Sequence, residues 1–307
     1  MKKTIITLSI SLLAIGSQAQ QMAHFSQYLL NDFFLNPAIA GTKDYSPVRL
    51  TYRSQWAGFE GAPKTMGLSF HSNYLDNMGF GGILINDKTG PLTQTGVELA
   101  YSYHIKVSDG AKLALGLSAK ATQYSLDESQ ITLEETDDPT FSGVSIATLV
   151  PDAGFGAYFF SESYFVGLSV PQLFQAKVRY NKDDESLNKE VRHYYLSGGY
   201  NFELNDDFSL QPSLLLKTVF TAPTTFDLNI KATYKNMFSL GASYRLKDAI
   251  VAIIGFEKEN FILGYAYDVT ISNVRKYSAG SHEIMLGYNI PNSKKSADEK
   301  RYAPRMR

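Results

Sequence analysis

From Val48 onward the chain alternates apolar and polar residues in segments of about ten, separated by turn residues. Val48, Leu50, Tyr52 and Trp56 fall on one face, and Arg49, Thr51, Arg53 and Gln55 on the other. Val97, Leu99, Tyr101, Tyr103 and Ile105 oppose Glu98, Ser102, His104 and Lys106. Phe226, Leu228, Ile230, Ala232 and Tyr234 oppose Asp227, Asn229, Lys231, Thr233 and Lys235. Phe238, Leu240, Ala242, Tyr244 and Leu246 oppose Ser239, Ser243, Arg245 and Lys247. A helix repeats every 3.6 residues and would mix these sets on every face. The pattern predicts strands, cut at 48–56, 63–73, 78–87, 93–107, 110–123, 153–161, 163–170, 190–203, 206–221, 224–235, 237–247, 249–258, 260–270 and 280–290.

That is about fourteen strands, an even number as in bacterial outer-membrane barrels. Their connections sort by length. Every second turn is short: Asn73 to Asn77, Ser108-Asp109-Gly110, Ser161-Glu162-Ser163, Asn205-Asp206, Lys235-Asn236 and Lys258-Glu259-Asn260. The long connections 124–152, 171–189 and 271–279 all fall at the opposite end. Lipid offers no partner to an exposed N–H or C=O, so a sheet in a membrane must close on itself. A soluble secreted sandwich also alternates, but its outer faces do not call for so many tyrosines beside the apolar set. The expected fold is therefore all-β: a transmembrane antiparallel outer-membrane barrel, apolar face outward, tyrosines at the headgroup level.

The first residues carry an export address. Lys2 and Lys3 precede an apolar stretch from Ile5 to Ile15, then Ser17-Gln18-Ala19, a signal-peptidase pattern with cleavage expected between Ala19 and Gln20. Beyond 1–19, residues 20–47 form an N-terminal periplasmic or plug-like segment. An amphipathic helix is expected there from about His24 to Leu35, stopped before Pro37. The barrel is expected over 48–290. The basic tail 291–307 is expected in the periplasm, with both mature termini there; Lys294, Lys295, Lys300, Arg301, Arg305 and Arg307 in it outweigh Asp298 and Glu299.

Composition then removes alternatives. Lys plus Arg is 29 against 30 Asp plus Glu, a net charge of −1 over 307 residues, which argues against nucleic acid as a partner. Cys is absent, so there is no disulfide, thiolate metal site or cysteine nucleophile. Tyr 20 and Phe 19 against a single Trp set the aromatic character. No P-loop, His-Glu-x-x-His, Gly-x-Ser-x-Gly or complete Gly-x-Gly-x-x-Gly occurs, so no enzymatic role and no cofactor is expected. Gly79, Gly81 and Gly82, inside an alternating segment, read as easing barrel curvature.

Several motifs occur in a fixed order. They are Phe25-Ser26-Gln27-Tyr28, Asn36-Pro37-Ala38 with Ala40-Gly41, Tyr52-Arg53-Ser54-Gln55-Trp56-Ala57-Gly58, Glu60-Gly61-Ala62-Pro63 with Thr65, and Asn86-Asp87 with Gly90. In this combination the chain resembles the PorP/SprF family of type IX secretion system membrane proteins of Bacteroidetes. The resemblance implies an outer-membrane accessory that assists secretion or surface attachment of adhesin or gliding-type cargo, recognising the cargo's C-terminal domain. It also implies translocon and periplasmic components as partners. The barrel alone suggests a second reading, a general channel for small solutes.

Candidate lumen or loop contacts for cargo are Arg49, Arg53, Gln55, Trp56 and Glu60. Arg49, Arg53 and Gln55 are expected inside the barrel near the extracellular end of the first strand, with Glu60 folding back onto an arginine. The simpler reading of these charges is an internal ion network that props the loop. Gly58, Gly61 and Pro63 are expected to set the loop's backbone path. Loop 124–152 carries Asp127, Glu128, Glu134, Glu135, Asp137, Asp138 and Asp152 with no Lys or Arg. Its carboxylates read first as a solvated face, with basic cargo or calcium as further options.

Overall fold

The computed structural model describes residues 24–75, 77–131, 145–179, 189–220 and 222–292. The strands are β1 (Tyr45–Ser54), β2 (Lys64–Leu75), β3 (Met78–Thr89), β4 (Leu92–Ser108), β5 (Ala111–Asp127), β6 (Ser145–Ser161) and β7 (Tyr164–Val170). They continue with β8 (Tyr194–Tyr200, resumed at Phe202–Glu203), β9 (Phe208–Val219), β10 (Ala222–Tyr234), β11 (Phe238–Arg245), β12 (Ala249–Lys258), β13 (Phe261–Thr270) and β14 (Ser281–Pro291). The two pieces of β8 lie in line against the same partner, β9, so the sheet has fourteen staves. Each pairs antiparallel with its neighbour in sequence, and β14 returns to β1 from Tyr45↔Pro291 to Ser54↔His282. The sheet is a closed barrel.

Alternation decides which face meets lipid. Along β1, Leu50 and Tyr52 are exposed while Arg49, Thr51 and Arg53 are buried. The same phase holds at Leu240, which is 65% exposed, beside buried Ser243 and Arg245 on β11. Aromatic pairs band the outside next to the short turns: Phe80 with Tyr101, Phe159 with Tyr164, Tyr200 with Phe202, Phe208 with Tyr234, and Phe261 with Tyr288. Such rings suit the headgroup layer, where the body is apolar and a hydroxyl stays wet.

All turns at one end are short: 76–77, 109–110, 162–163, 204–207, 235–237 and 259–260. The other end carries 55–63, 128–144, 171–193 and 271–280 as well as tight turns. The expected strand limits needed correction at this loop end. β5 and β6 run on through Asp127↔Ser145, well into the segment 124–152 expected as loop. Above the lipid both faces of a strand are wet, so the ladder continues after the hydrophobic alternation has faded. Asp152 is instead an inward-facing, buried strand residue and Glu128 is also buried, whereas 132–144, with Glu134, Glu135, Asp137 and Asp138, lie outside the described residues. Likewise β8 begins at Tyr194 and not at 190.

The N-terminal segment is not the single amphipathic helix expected over 24–35. It folds as three short 3₁₀ turns, Ser26–Leu29, Asp32–Phe34 and Pro37–Ile39. The barrel surrounds it, and its polar groups bond to walls in several directions in place of one continuous helical ladder, with Asp32 left facing a cavity at the short-turn end. Phe33, Ala38, Ile39 and Ala40 pack with Ile83, Ala100, Ala114 and Tyr158 from the wall. Residues 1–23, with the expected cleavage at Ala19–Gln20, and 293–307 lie outside the described residues.

Because Leu240 faces lipid near the short-turn end of β11, Leu240→Arg should lower stability by about 1–2 kcal/mol, between the interfacial and midplane penalties. The check is urea unfolding of the barrel refolded in phosphatidylcholine vesicles. An unchanged or raised midpoint would mean that this face meets water.

Candidate functional site

The lumen is occupied by residues 24–44, and the wall is shaped to receive them. A Cβ at Gly79 would overlap the Ala40 carbonyl, one at Gly116 the Ala38 amide, one at Gly156 the Asn36 amide oxygen, and one at Gly264 that of Gln27. Gly81 meets the Phe33 ring in the same way. The glycines expected to ease curvature on β3 therefore serve another purpose at 79 and 81: they leave room for a second chain segment. Gly82 points outward, beside Leu99.

Polar anchors hold the segment in place. Asn36 donates to the carbonyls of Ala157 and Leu168, and its side-chain oxygen accepts from Ala38 N at 2.9 Å. Gly41 takes φ +71 in contact with Gly79, and its N–H donates to His71 Nδ1 at 3.1 Å. Ser102 Oγ donates to the Ala40 carbonyl at 2.5 Å.

The strongest anchor is a buried ion network centred on Ser26. Arg53 Nη2 lies 2.8 Å from Asp268 and Nη1 lies 3.2 Å from Glu283. Arg245 reaches the same Asp268 at 3.2 Å and Asp227 at 3.7 Å, and Lys217 lies 3.0 Å from Asp227. Ser26 inserts among them: its Oγ donates to Asp268 at 2.8 Å and accepts from Arg53 at 2.6 Å, while its N–H donates to Glu283 at 2.6 Å. Gln27 N–H adds a bond to Glu283 at 3.0 Å. The Tyr28 hydroxyl sits 3.1 Å from Asp227 and 2.9 Å from Asn229. Burial, with the Asp227 charge beside it, pushes the Tyr28 phenol up and keeps it protonated. Arg53 is 1% exposed and Glu283 0%, so neither ion has water to fall back on.

Positions of the expected site residues divide into three groups. Arg53 enters the network, but its carboxylates come from β13 and β14, and Glu60 stays exposed in the 55–63 loop. Arg49 does not lie near the loop end. Because β1 starts at Tyr45, Arg49 sits lower, bonded to Asn289 Oδ1 at 2.6 Å. Gln55 and Trp56 leave the strand. Trp56 takes φ +49, its N–H donates to Ser281 Oγ, and Gln55 N–H donates to the Pro63 carbonyl. Gly58 and Gly61 stand at φ +90 and +71, and Gly61 accepts from Gly90 N–H at 2.9 Å. Asp87 accepts from Thr65 at 2.5 Å and Asn86 donates to Thr95 at 2.8 Å. The ordered motifs are thus one lumen segment, the groups that hold it, and loops pinned to one another.

Sequence reading missed Asp268, Glu283 and Lys217. The available signal was a charge at an inward position of an otherwise apolar strand.

What remains of the lumen is a set of cavities. One of about 370 Å³ at the short-turn end is lined by Asp32, Lys43, Arg49, Lys231 and Glu257. Another of about 110 Å³ lies on the loop side of Tyr28, between Phe25, Phe34, Ile85, Lys120 and Glu190. A third, of about 120 Å³, lies between the segment and β9–β10.

Truncating Arg53 would leave Glu283 and Asp268 buried and under-compensated. Arg53→Met should cost about 3–5 kcal/mol, and Arg53→Met with Glu283→Gln should recover part of it. Vesicle-based urea midpoints measure both; equal midpoints for wild type and Arg53→Met would remove the network from the structural account.

Among curated proteins none matches this chain. Among solved structures, the deltaS2S3 mutant of the monoaromatic hydrocarbon channel TodX aligns at 9% identity over 85% of this chain and 94% of its own, with TM-score 0.52. A Pseudomonas aeruginosa FadL homologue aligns at 12% identity over 84% and 93%, TM-score 0.48, and the Pseudomonas putida toluene transporter TodX at 10% over 91% and 96%, TM-score 0.47. At these identities the likeness concerns the fold. The profile of the type IX secretion system membrane proteins PorP/SprF matches residues 17–288. With a closed lipid-facing barrel and that match over most of its length, the chain is an outer-membrane component of the type IX secretion system and belongs to the PorP/SprF family.

Proposed function

We propose that this protein is a non-enzymatic accessory of the secretion system, which engages particular secreted proteins through their C-terminal domains at the loop end of the barrel. The observation that supports it best is the occupied lumen. A segment wedged against five inward glycines and tied to a buried ion network suits a docking platform better than a pore for small solutes. Among the described residues, 55–63, 128–131, 171–179, 189–193 and 271–280 lie at the loop end and offer a surface there. Long loops of outer-membrane barrels face outward and short turns face the periplasm. On that orientation Asn292, which accepts from Ser46 Oγ, lies at the periplasmic end of the barrel, and acidic periplasmic components of the machinery are fitting partners for the basic sequence that follows it. The first described residue, His24, lines the loop-side cavity, so the lumen segment runs from the loop end down to Tyr45.

A tagged pull-down from gently solubilised native membranes should recover one or a few large secreted proteins, and their recovery should depend on their C-terminal domains. The purified protein in planar bilayers should pass little current, and deletion of residues 24–41 should open steady conductance. Recovery of the barrel alone, together with steady conductance of the intact protein, would replace the accessory reading with a channel.

A further inference from the structure

Resting on the docking role, we infer that the loop-end edge of β6, from Ser145 to Pro151, is where an extended strand of the secreted protein's C-terminal domain adds to the barrel wall. β6 pairs with β5 along its whole length, from Ala111↔Ser161 to Asp127↔Ser145, but its pairing with β7 stops at Phe155↔Val170. Pro171 follows β7, and the chain then turns into the lumen. Gln172 and Glu190 are buried on the loop-side cavity, and Arg192 donates to the carbonyls of Gln172 and Leu173. Among the described residues, nothing bonds to the backbone of Ser145–Pro151 on the side away from β5.

One contact fixes which groups face that side. Leu173 N–H donates to the Ala153 carbonyl at 2.9 Å, across the β7 side of β6. The ladder with β5 runs without a bulge, and alternate residues of a strand present N–H and C=O to the same edge. Ala147 and Leu149 therefore offer N–H and C=O there, and Pro151 a C=O alone. The level in the membrane agrees. The outward row through Pro151 continues as Ala121, Val97 and Leu84, all apolar, whereas the row through Leu149 continues as Gln123, Thr95 and Asn86. Hydrocarbon does not tolerate an unpaired N–H, and at the last apolar level this edge carries a proline, which has none. The open N–H groups begin where water begins.

Backbone chemistry selects the occupant. An open strand edge is a template for another chain, and natural edges are blunted by charged side chains. Ser145-Ile146-Ala147-Thr148-Leu149-Val150-Pro151 carries no charge. Its N–H and C=O groups stand in line over roughly 20 Å and complement an extended polypeptide, as in strand addition to other sheets. Beside them Leu149 is 68% exposed, and Phe174, whose N–H donates to Asp152 Oδ1 at 2.9 Å, is 69% exposed. The incoming strand should place an apolar side chain opposite Leu149.

The test combines Ala147→Pro and Leu149→Pro in the tagged full chain. Those N–H groups point away from β5, so the β5–β6 ladder keeps its bonds, and heat-modified gel mobility verifies that the variant is folded. In the native-membrane pull-down it should lose about tenfold or more of the secreted protein recovered with wild type. Leu149→Ala, which keeps the N–H, should retain most of it. A photoreactive benzoylphenylalanine placed at 147 and then at 149 should crosslink to a single strand of the C-terminal domain, at sites about two residues apart. Undiminished recovery by the folded double proline variant, or crosslinks confined to this chain itself, overturns strand addition and leaves the docking role standing. Recovery of no secreted protein by wild type overturns the docking role and strand addition with it.

Discussion

Every other feature of this molecule rests on one hydrogen-bonding constraint: in hydrocarbon, a strand edge has no water to bond. The chain meets it by bringing β14 back to β1 over the full run from Tyr45↔Pro291 to Ser54↔His282. Closure follows from lipid, and once the barrel is closed the pleat sends alternate residues outward and inward. Outward positions then must be apolar or aromatic. Inward positions become free to carry charge, and only there can Arg53, Arg245, Asp227, Asp268 and Glu283 exist at all.

Charge without water is the second constraint. A fourteen-strand barrel encloses more space than its own side chains fill, and an ion inside it needs either solvent or a partner. Here the partner is the chain's own N-terminal segment. Ser26, Gln27 and Tyr28 satisfy four strands at once through a hydroxyl, an amide and a phenol. The same segment uses Asn36 and Ala38 to fill hollows left by Gly156 and Gly116. Anchor and hollow lie on different strands, so the segment also ties the two halves of the wall together. Function is confined to what this leaves open: a loop-lined mouth, a small acidic-ended cavity beneath it and a wider polar cavity at the turn end.

Legibility varied along the chain for a physical reason. Within the lipid belt, as at Leu50, Tyr52 and Leu240, the contrast between hydrocarbon and lumen is sharp and a period of two is unmistakable. Above it, β5 and β6 continue through Asp127↔Ser145, where the apolar alternation has faded, and in sequence Asp127 and Asp152 resemble a solvated loop although Asp152 is buried in the ladder. The segment 24–41 was harder still. Its aromatic spacing satisfied a helix rule, yet wall residues meet it from several directions, and 3₁₀ turns joined by bonds to the wall replace a single ladder.

By itself, the sequence determined the barrel, the approximate strand count, the sorting of long and short connections and the family, because alternation, turn chemistry and ordered motifs are local. Only the tertiary structure decided that Arg53 pairs with Asp268 and Glu283 and not with Glu60, that Arg49 sits toward the turn end, and that glycines at 79, 116 and 156 are sockets. Those facts depend on which residues of distant segments, from about forty to more than two hundred positions apart, come to share a level inside the barrel. That is set by strand register and closure, which no local pattern encodes.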